Sequence, residues 1–355
     1  MIKIYYEIND DLKKDWSEIE INSNFNPYLN LESIISWYEN FGKSSIYSLS
    51  IAVYYENNKP KLILPLGIKK KFGFFICIWL CEPFNDFNEP IIHDDFLLSK
   101  NLFLDIFSQF VNNNKFKIDL FFLKNQKLQY LKNINPFISY FKNYYQNYNY
   151  KIILDGNFDT FCKINLKRKI VREIERKTEK YNNDILVYEA QNLDDQIQII
   201  KFFLKNKKIQ INETKSFDYL KTENNQNYFF NLVNRKNIII HAVKYKKNIV
   251  AAHLGYANKN MFSYTFPVHD NKYKSYAFGT YLLNFLIKNC FEKKIKEFNF
   301  GIGYQLYKKQ WSNLKDDVNL NIISLSFKGF LLSKFLLLSY KFKILKYFIK
   351  KIYII

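Results

Sequence analysis

Residues 237–303 set out, in unbroken order, three strand patterns, a loop, a helix pattern, a fourth strand and a glycine turn. The first three, 237–245 (NIIIHAVKY), 249–257 (IVAAHLGYA) and 260–267 (NMFSYTFP), are joined by KKN and NKN, turns too short for anything but antiparallel neighbours. A helix over 276–292 follows, with Tyr281, Leu282, Phe285 and Leu286 on one face. Strand 295–300 and Gly301-Ile302-Gly303 close the run. An antiparallel meander followed by helix and strand requires a layered α/β arrangement. The stretch 268–280 (VHDNKYKSYAFGT) leads into the helix, which opens near Tyr276, and a helix N-terminus offers unpaired N–H groups and partial positive charge to an anion such as a pyrophosphate. Gly279 permits close backbone approach, and Lys272 and Lys274 add charge just upstream. A plain strand–helix turn has the same pattern.

The first half also reads as mixed α/β. Residues 31–40 and 99–112 have helical patterns, and 46–55, 61–68, 73–80 and 116–123 have strand patterns. Residues 163–182 form a charged helical stretch with Ile170, Ile174 and Thr178 on a less polar stripe, a connector between two lobes. It is either a solvated helix with i,i+4 ion pairs or a basic rim for an anionic substrate. Helices are expected at 193–207 and 216–234.

The formal net charge is +20. The chain is also crowded with Asn, Ile, Phe and Tyr and poor in Gly and Pro, as A+T-rich codons favour, so the charge reflects either genome bias or an anionic partner: CoA, tRNA or a membrane surface. DNA is not implied. Cys77, Cys81, Cys162 and Cys290 form no CxxC pair, which excludes a disulfide scaffold and a zinc ribbon and fits free thiols in a reducing cytoplasm. No HExxH, EF-hand, GxSxG or P-loop pattern occurs, and no metal site is expected. The N-terminus has no apolar signal core, and no stretch reaches 18 uncharged apolar residues. Residues 327–355 are apolar and studded with Lys334, Lys341, Lys343, Lys346, Lys350 and Lys351. They read as an interfacial amphipathic helix or as a helix docked on the N-terminal lobe.

One set of segments resembles a known family. IVAAHLGY (249–256), Phe262-Ser263-Tyr264, Ser275-Tyr276-Ala277-Phe278-Gly279 and FNFGIGYQLYKKQWSN (298–313) are similar to the C-terminal module of CelD-like or BioF2-like GNAT acetyltransferases, which belong with the double-GNAT FemAB-like enzymes. Residues 31–68 and 151–177 extend the likeness more faintly. Gln305 stands where the pattern commonly has an acid, and Phe278 where a proline is often seen. The resemblance implies an α/β (α+β) fold of two GNAT-like lobes, each a mixed, largely antiparallel sheet flanked by helices. The expected division is 1–160, 161–325 and a basic C-terminal helix, 326–355.

It also implies acyl transfer from acetyl-CoA or another acyl-CoA to an amine, without a covalent enzyme intermediate. The acceptor would be an amino sugar or related envelope or polysaccharide precursor. The protein would orient both substrates, stabilise the developing oxyanion with a backbone N–H and handle a proton. The implied cofactor-binding residues are Lys274, Ser275, Tyr276, Ala277, Phe278, Gly279 and Thr280. His253, Asp270, Tyr307 and Lys308 are the candidates for proton handling, with Tyr264, His269, Gln305 and Trp311 for substrate contact. Each has a bland reading: a structural histidine for His253, a cap for Asp270, packing for Tyr307 and Trp311, helix surface for Lys308. A FemAB-like aminoacyltransferase using aminoacyl-tRNA and a catalytically inactive GNAT scaffold are the alternatives. A cytoplasmic location is expected, with peripheral contact at the inner face of the membrane through 327–355.

Overall fold

The computed structural model describes residues 1–43, 46–181, 184–216 and 218–341; the lysines expected at 343, 346, 350 and 351, and the side chains of Thr178 and Lys341, lie outside the described residues. Many helices begin on asparagine. The side-chain carbonyls of Asn9, Asn30, Asn157 and Asn192 each accept an amide N–H from the first turn of the helix that follows. Asparagine is among the best residues at this position, so the Asn-rich composition does structural work here.

Eleven strands form one continuous sheet. In chain order they are β1 (Tyr47–Leu49), β2 (Leu66–Lys71), β3 (Phe74–Trp79), β4 (Leu120–Gln126), β5 (Asn143–Ile153), β6 (Ile185–Glu189), β7 (Ile239–Tyr245), β8 (Asn248–Ala257), β9 (Met261–His269), β10 (Glu297–Ile302) and β11 (Leu314–Ser324). Their order across the sheet is β6-β7-β8-β9-β10-β5-β11-β4-β3-β2-β1. Two pairings are parallel, β3–β4 and β9–β10. Each parallel pair spans a crossover helix: α1 (Lys100–Asn112) in the first half, α4 (Phe278–Glu292) in the second. Both halves therefore repeat one plan of antiparallel strands, helix and parallel strand. The other helices used below are α2 (Arg168–Tyr181), α3 (Leu193–Thr214), α5 (Leu306–Trp311) and α6 (Phe327–Lys341).

The halves share one sheet because their last strands are exchanged. β5, from the first half, pairs with β10 of the second. β11, from the second, pairs with β4 of the first. β5 and β11 pair with each other from Asn143↔Asn321 to Lys151↔Leu314. A smaller sheet, Ile2–Tyr5, Ile51–Glu56, Lys59–Leu64 and Ile91–Ile92, lies on the N-terminal side. The expected strands 46–55 and 61–68 are each divided between the two sheets, with breaks at Ser50 and Pro65.

Helices cover both faces of the second half. On one face, Leu282, Leu283, Leu286 and Ile287 of α4 pack with Val243, Val250, Phe298 and Phe300. On the other, Ile199, Ile200 and Phe203 of α3 join Ala252, Leu254 and Tyr256 in a cluster that also holds Leu12, Trp16 and Trp37 of the first half. One hydrophobic core thus spans the lobes. The stretch expected as a helix over 216–234 is helical only at Glu223–Asn234, and the connector divides into Phe158–Asn165 and α2.

A buried ion network joins the halves at the exchange. Glu297, 6% exposed, lies 3.7 Å from the Lys127 ammonium and 3.4 Å from that of Lys151, which also pairs with Asp316 at 2.6 Å. Asn299 donates to Glu297 at 2.6 Å. Removing one member of such a buried set strands its partners in low dielectric. Glu297→Ala is expected to cost about 3 kcal/mol, read as a fall in the denaturant midpoint, whereas Lys127→Leu combined with Glu297→Leu should cost less.

Candidate functional site

β9 and β10 pair over three residues only, Met261↔Glu297 to Ser263↔Asn299. Beyond this, β9 stays with β8 as far as Ala251↔His269, while β10 follows β5 to Asn149↔Ile302. The strands are held on opposite sides and part, opening a wedge in the middle of the sheet. A cleft of about 530 Å³ fills it. Its walls are Tyr264–His269 of β9, Phe300 and Ile302 of β10, Gly279 and Thr280 at the start of α4, Lys207 and Gln210 of α3, Tyr307, Lys308 and Trp311 of α5, and a loop of the first half containing Asp86. β8 carries a bulge beside the wedge, between Leu254 and Tyr256. Gly255 is required there, since a Cβ would collide with the Ser263 carbonyl and the His253 ring.

The loop before α4 is shaped by Asp270, whose carboxylate accepts the Lys272 N–H at 3.0 Å. Ala277 then turns left-handed, φ 56°, and no side chain caps α4. The Thr280 N–H is taken by the Ala277 carbonyl at 2.9 Å, which leaves the N–H groups of Phe278 and Gly279 for an anion. Of the seven residues expected to bind the donor, Gly279 and Thr280 line the cleft. Lys274 and Ser275 are exposed outside it. Tyr276 and Phe278 pack against each other and Tyr245, with ring centroids 5.2–5.6 Å apart, and so set the turn that aims the helix. A Cβ on Gly279 would meet nothing nearer than His269 Nδ1 at 3.8 Å, so that side of the helix faces open space.

Four further expected residues, Tyr264, His269, Gln305 and Trp311, line the same cleft, as do Tyr307 and Lys308. His253 and Asp270 do not. Strand alternation turns His253 away from Ala252, which lines the cleft on the α3 side, toward the face that α4 covers; Tyr264 lines the cleft from that face, and His253 lies behind it. There it is fully buried and stacked on Tyr264 with centroids 4.8 Å apart. Burial holds its imidazole well below the usual range, hence neutral. Asp270 is a cap.

The acid of the cleft is one that the sequence did not single out. Asp86 comes from the PFNDF loop (83–87) after β3, with no motif around it beyond its place at the end of a buried strand. Tyr28 Oη lies 3.4 Å from Asp86 Oδ2 and 2.8 Å from Thr265 Oγ1. The carboxyl rests on the bare Cα of Gly301, where a Cβ would collide with it and φ is +74°. Asn299 Oδ1 fixes the Gly301 N–H at 2.8 Å. Burial raises the Asp86 pKa, and the Lys308 ammonium opposes the rise. Lys308, 6% exposed, donates to the Ile302 carbonyl at 2.9 Å; burial lowers its pKa and Asp86 partly restores it. Burial likewise lowers His269, with Lys207 adding to the effect, and raises Tyr264 and Tyr307. The cleft therefore holds a carboxyl and an ammonium whose pKa values are shifted toward each other, and it reaches the uncapped start of α4. Among the described residues no group of three or more His, Cys, Asp and Glu could hold a metal ion.

Residues 166–309 match the acetyltransferase (GNAT) domain family. Over these residues the chain is similar to that domain. The matched stretch contains the wedge strands β9 and β10 and the crossover helix α4. No curated protein matches the chain. Among solved structures, FemX shares 10% identity, with 90% of this chain and 97% of that one covered at a TM-score of 0.61. A conserved protein of unknown function from Bacteroides thetaiotaomicron shares 12%, covering 92% and 100%, at 0.59. The C-terminal domain of a candidate lysylphosphatidylglycerol synthetase from Agrobacterium fabrum shares 7%, covering 91% and 95%, at 0.56. At these identities the likeness concerns the fold, and it runs through both halves of the chain.

Proposed function

We propose that this GNAT protein is an acyl-CoA-dependent N-acyltransferase whose reaction runs in the wedge between β9 and β10. The observation that carries the reading is Asp86 and Lys308 facing one cleft that also reaches the start of α4. The residues there fit a CoA thioester: uncapped N–H groups for the pyrophosphate, and open space beside Gly279. An amino sugar or related envelope precursor is the acceptor carried forward from the sequence. In the reaction the acceptor nitrogen forms a bond to the acyl carbon as the carbon–sulfur bond breaks. Asp86 takes the proton from the nitrogen, and Lys308 gives one to the departing sulfur. Tyr28 and Gly301 hold Asp86 in place.

A second reading, transfer from aminoacyl-tRNA as in FemAB-like enzymes, is favoured by the overlay with FemX along most of both chains. Calorimetry with acetyl-CoA and with charged tRNA separates the two. Acetyl-CoA is expected to bind at micromolar strength, about −8 kcal/mol, and Gly279→Trp, which fills the cleft, should abolish it. Binding only to tRNA, with affinity falling steeply as salt rises, would transfer the assignment to the second reading.

Asp86 works as a base only when ionised. With its pKa raised above the usual carboxylate range, activity should be lost as pH falls through that raised value. Asp86→Asn should remove this limb of the kcat/KM profile and lower the rate by roughly 10²–10⁴-fold. A variant with full activity and an unchanged profile would show that Asp86 is not the base.

We also propose contact with an anionic membrane surface through α6. Leu336 docks the helix on Ile76, Ile78, Leu120 and Phe122 of the sheet. Its outer side exposes Phe327, Phe330, Leu331, Phe335 and Leu338, beside Lys328 and Lys334. Residues 327–355 carry seven lysines and no acid. Apolar side chains flanked by cations suit the boundary of an anionic bilayer. No helix among the described residues is long and apolar enough to cross one. In flotation, Phe327→Glu with Phe335→Glu should release the protein from phosphatidylglycerol vesicles; equal flotation of the variant and the parent would end the idea.

A further inference from the structure

The reaction leaves one cation of the cleft unused. The cleft's acid, Asp86, is the counter-charge of Lys308. Lys207 of α3 has none: its ammonium donates to two neutral oxygens, the Pro267 carbonyl at 3.0 Å and Gln210 Oε1 at 2.9 Å. Among the described residues the charged group acting on it is a second cation, Lys308, and desolvation with this repulsion pushes its pKa down to about 8. An ammonium has three donors, so one remains. A desolvated cation is normally paired, and this one is held in place without a counter-ion.

Lys207 stands at the end of the cleft where α4 begins. Pro267, whose carbonyl it holds, is followed on β9 by Val268 and His269. His269 Nδ1 is the atom nearest to a Cβ on Gly279, at 3.8 Å, and both Lys207 and Lys274 act on the His269 ring. Farther along α3, both carboxylate oxygens of Glu213 accept from the Asn271 amide at 2.7 Å, and Asn271 belongs to the loop before α4. α3 is therefore tied to that loop, and Lys207 and Gly279 line one space. An uncapped helix start attracts an anion, and so does an unpaired ammonium. With the two as walls of one space, a single anion satisfies both.

We infer, building on the acyltransferase reading, that Lys207 binds a phosphate group of the donor together with the N–H groups that open α4. The phosphate completes the third hydrogen bond of Lys207, offsets its repulsion with Lys308 and is held between α3 and α4. The donor is thus selected by its phosphate as well as by the arm that carries the acyl group. Both donors considered above have this chemistry, CoA in its pyrophosphate and aminoacyl-tRNA in the phosphodiester before its aminoacylated end. Lys207 is a donor-binding residue that takes no part in proton transfer.

Calorimetry with CoA and with pantetheine, the same thiol arm without phosphates, reads this contact without an acceptor. Lys207→Met and Lys207→Gln should each weaken CoA by roughly ten- to a hundredfold, the range of a hydrogen bond to a charged group, and so close the gap between CoA and pantetheine. Lys207→Arg should bind CoA as the parent does. With charged tRNA, Lys207→Met should weaken binding and make the fall of log K with log salt shallower by about one unit. A loss confined to CoA, or confined to tRNA, names the source of the phosphate. Equal affinity of parent and Lys207→Met for every donor that the parent binds overturns the inference. An equal loss for pantetheine and CoA shows a packing role and overturns it too. If the parent binds neither CoA nor charged tRNA, the acyltransferase reading falls separately. Lys207 is then read with inorganic pyrophosphate, which should raise the melting temperature of the parent and not of Lys207→Met. Equal shifts in the two, including none, overturn the inference by that route.

Discussion

The site depends on a conflict of strand pairing. β9 is committed to β8 as far as His269, and β10 is committed to the exchanged strand β5 as far as Ile302. Backbone hydrogen bonds act over one strand spacing, so two neighbours claimed from opposite sides can stay paired only where their paths coincide. Here that is three residues. Everything chemical follows from the gap beyond them: the cleft, the exposed start of α4 and the meeting of groups from both halves.

Exchange of the terminal strands also explains why the first half matters to a site in the second. A loop after β3 brings Asp86 against Gly301, and Tyr28 reaches from the N-terminal region to Thr265 of β9. The Glu297 network lies on the same strand as Gly301, with Asn299 bonded to both. The ion network at the lobe junction is thereby tied through Asn299 to the glycine on which Asp86 rests.

Much of this was legible in the chain. The meander, the crossover helix and its glycine loop over 237–303 were readable because short turns and clean hydrophobic periods leave few alternatives, and Tyr264, His269, Gly279, Thr280, Gln305, Tyr307, Lys308 and Trp311 do meet in one cleft. β5 and β11 were not readable. NYYQNYNYKII and LKDDVNLNIIS are too polar to stand out as strands, and they form because each lies between two others in mid-sheet. His253 shows the limit of reading a strand without its neighbours: the alternation was visible, but that the Tyr264 ring would line the cleft in front of it was not.

The sequence by itself determined the local pieces, namely the meander, the asparagine caps, the glycine turns and the basic tail, because these depend on residues within a turn or two of each other. Only the tertiary structure decided which acid reaches the cleft and which histidine is kept out of it. Those outcomes depend on burial and on distances between residues as far apart in the chain as Asp86 and Lys308, and no local pattern encodes the desolvation and Coulomb energies that arise when such residues meet.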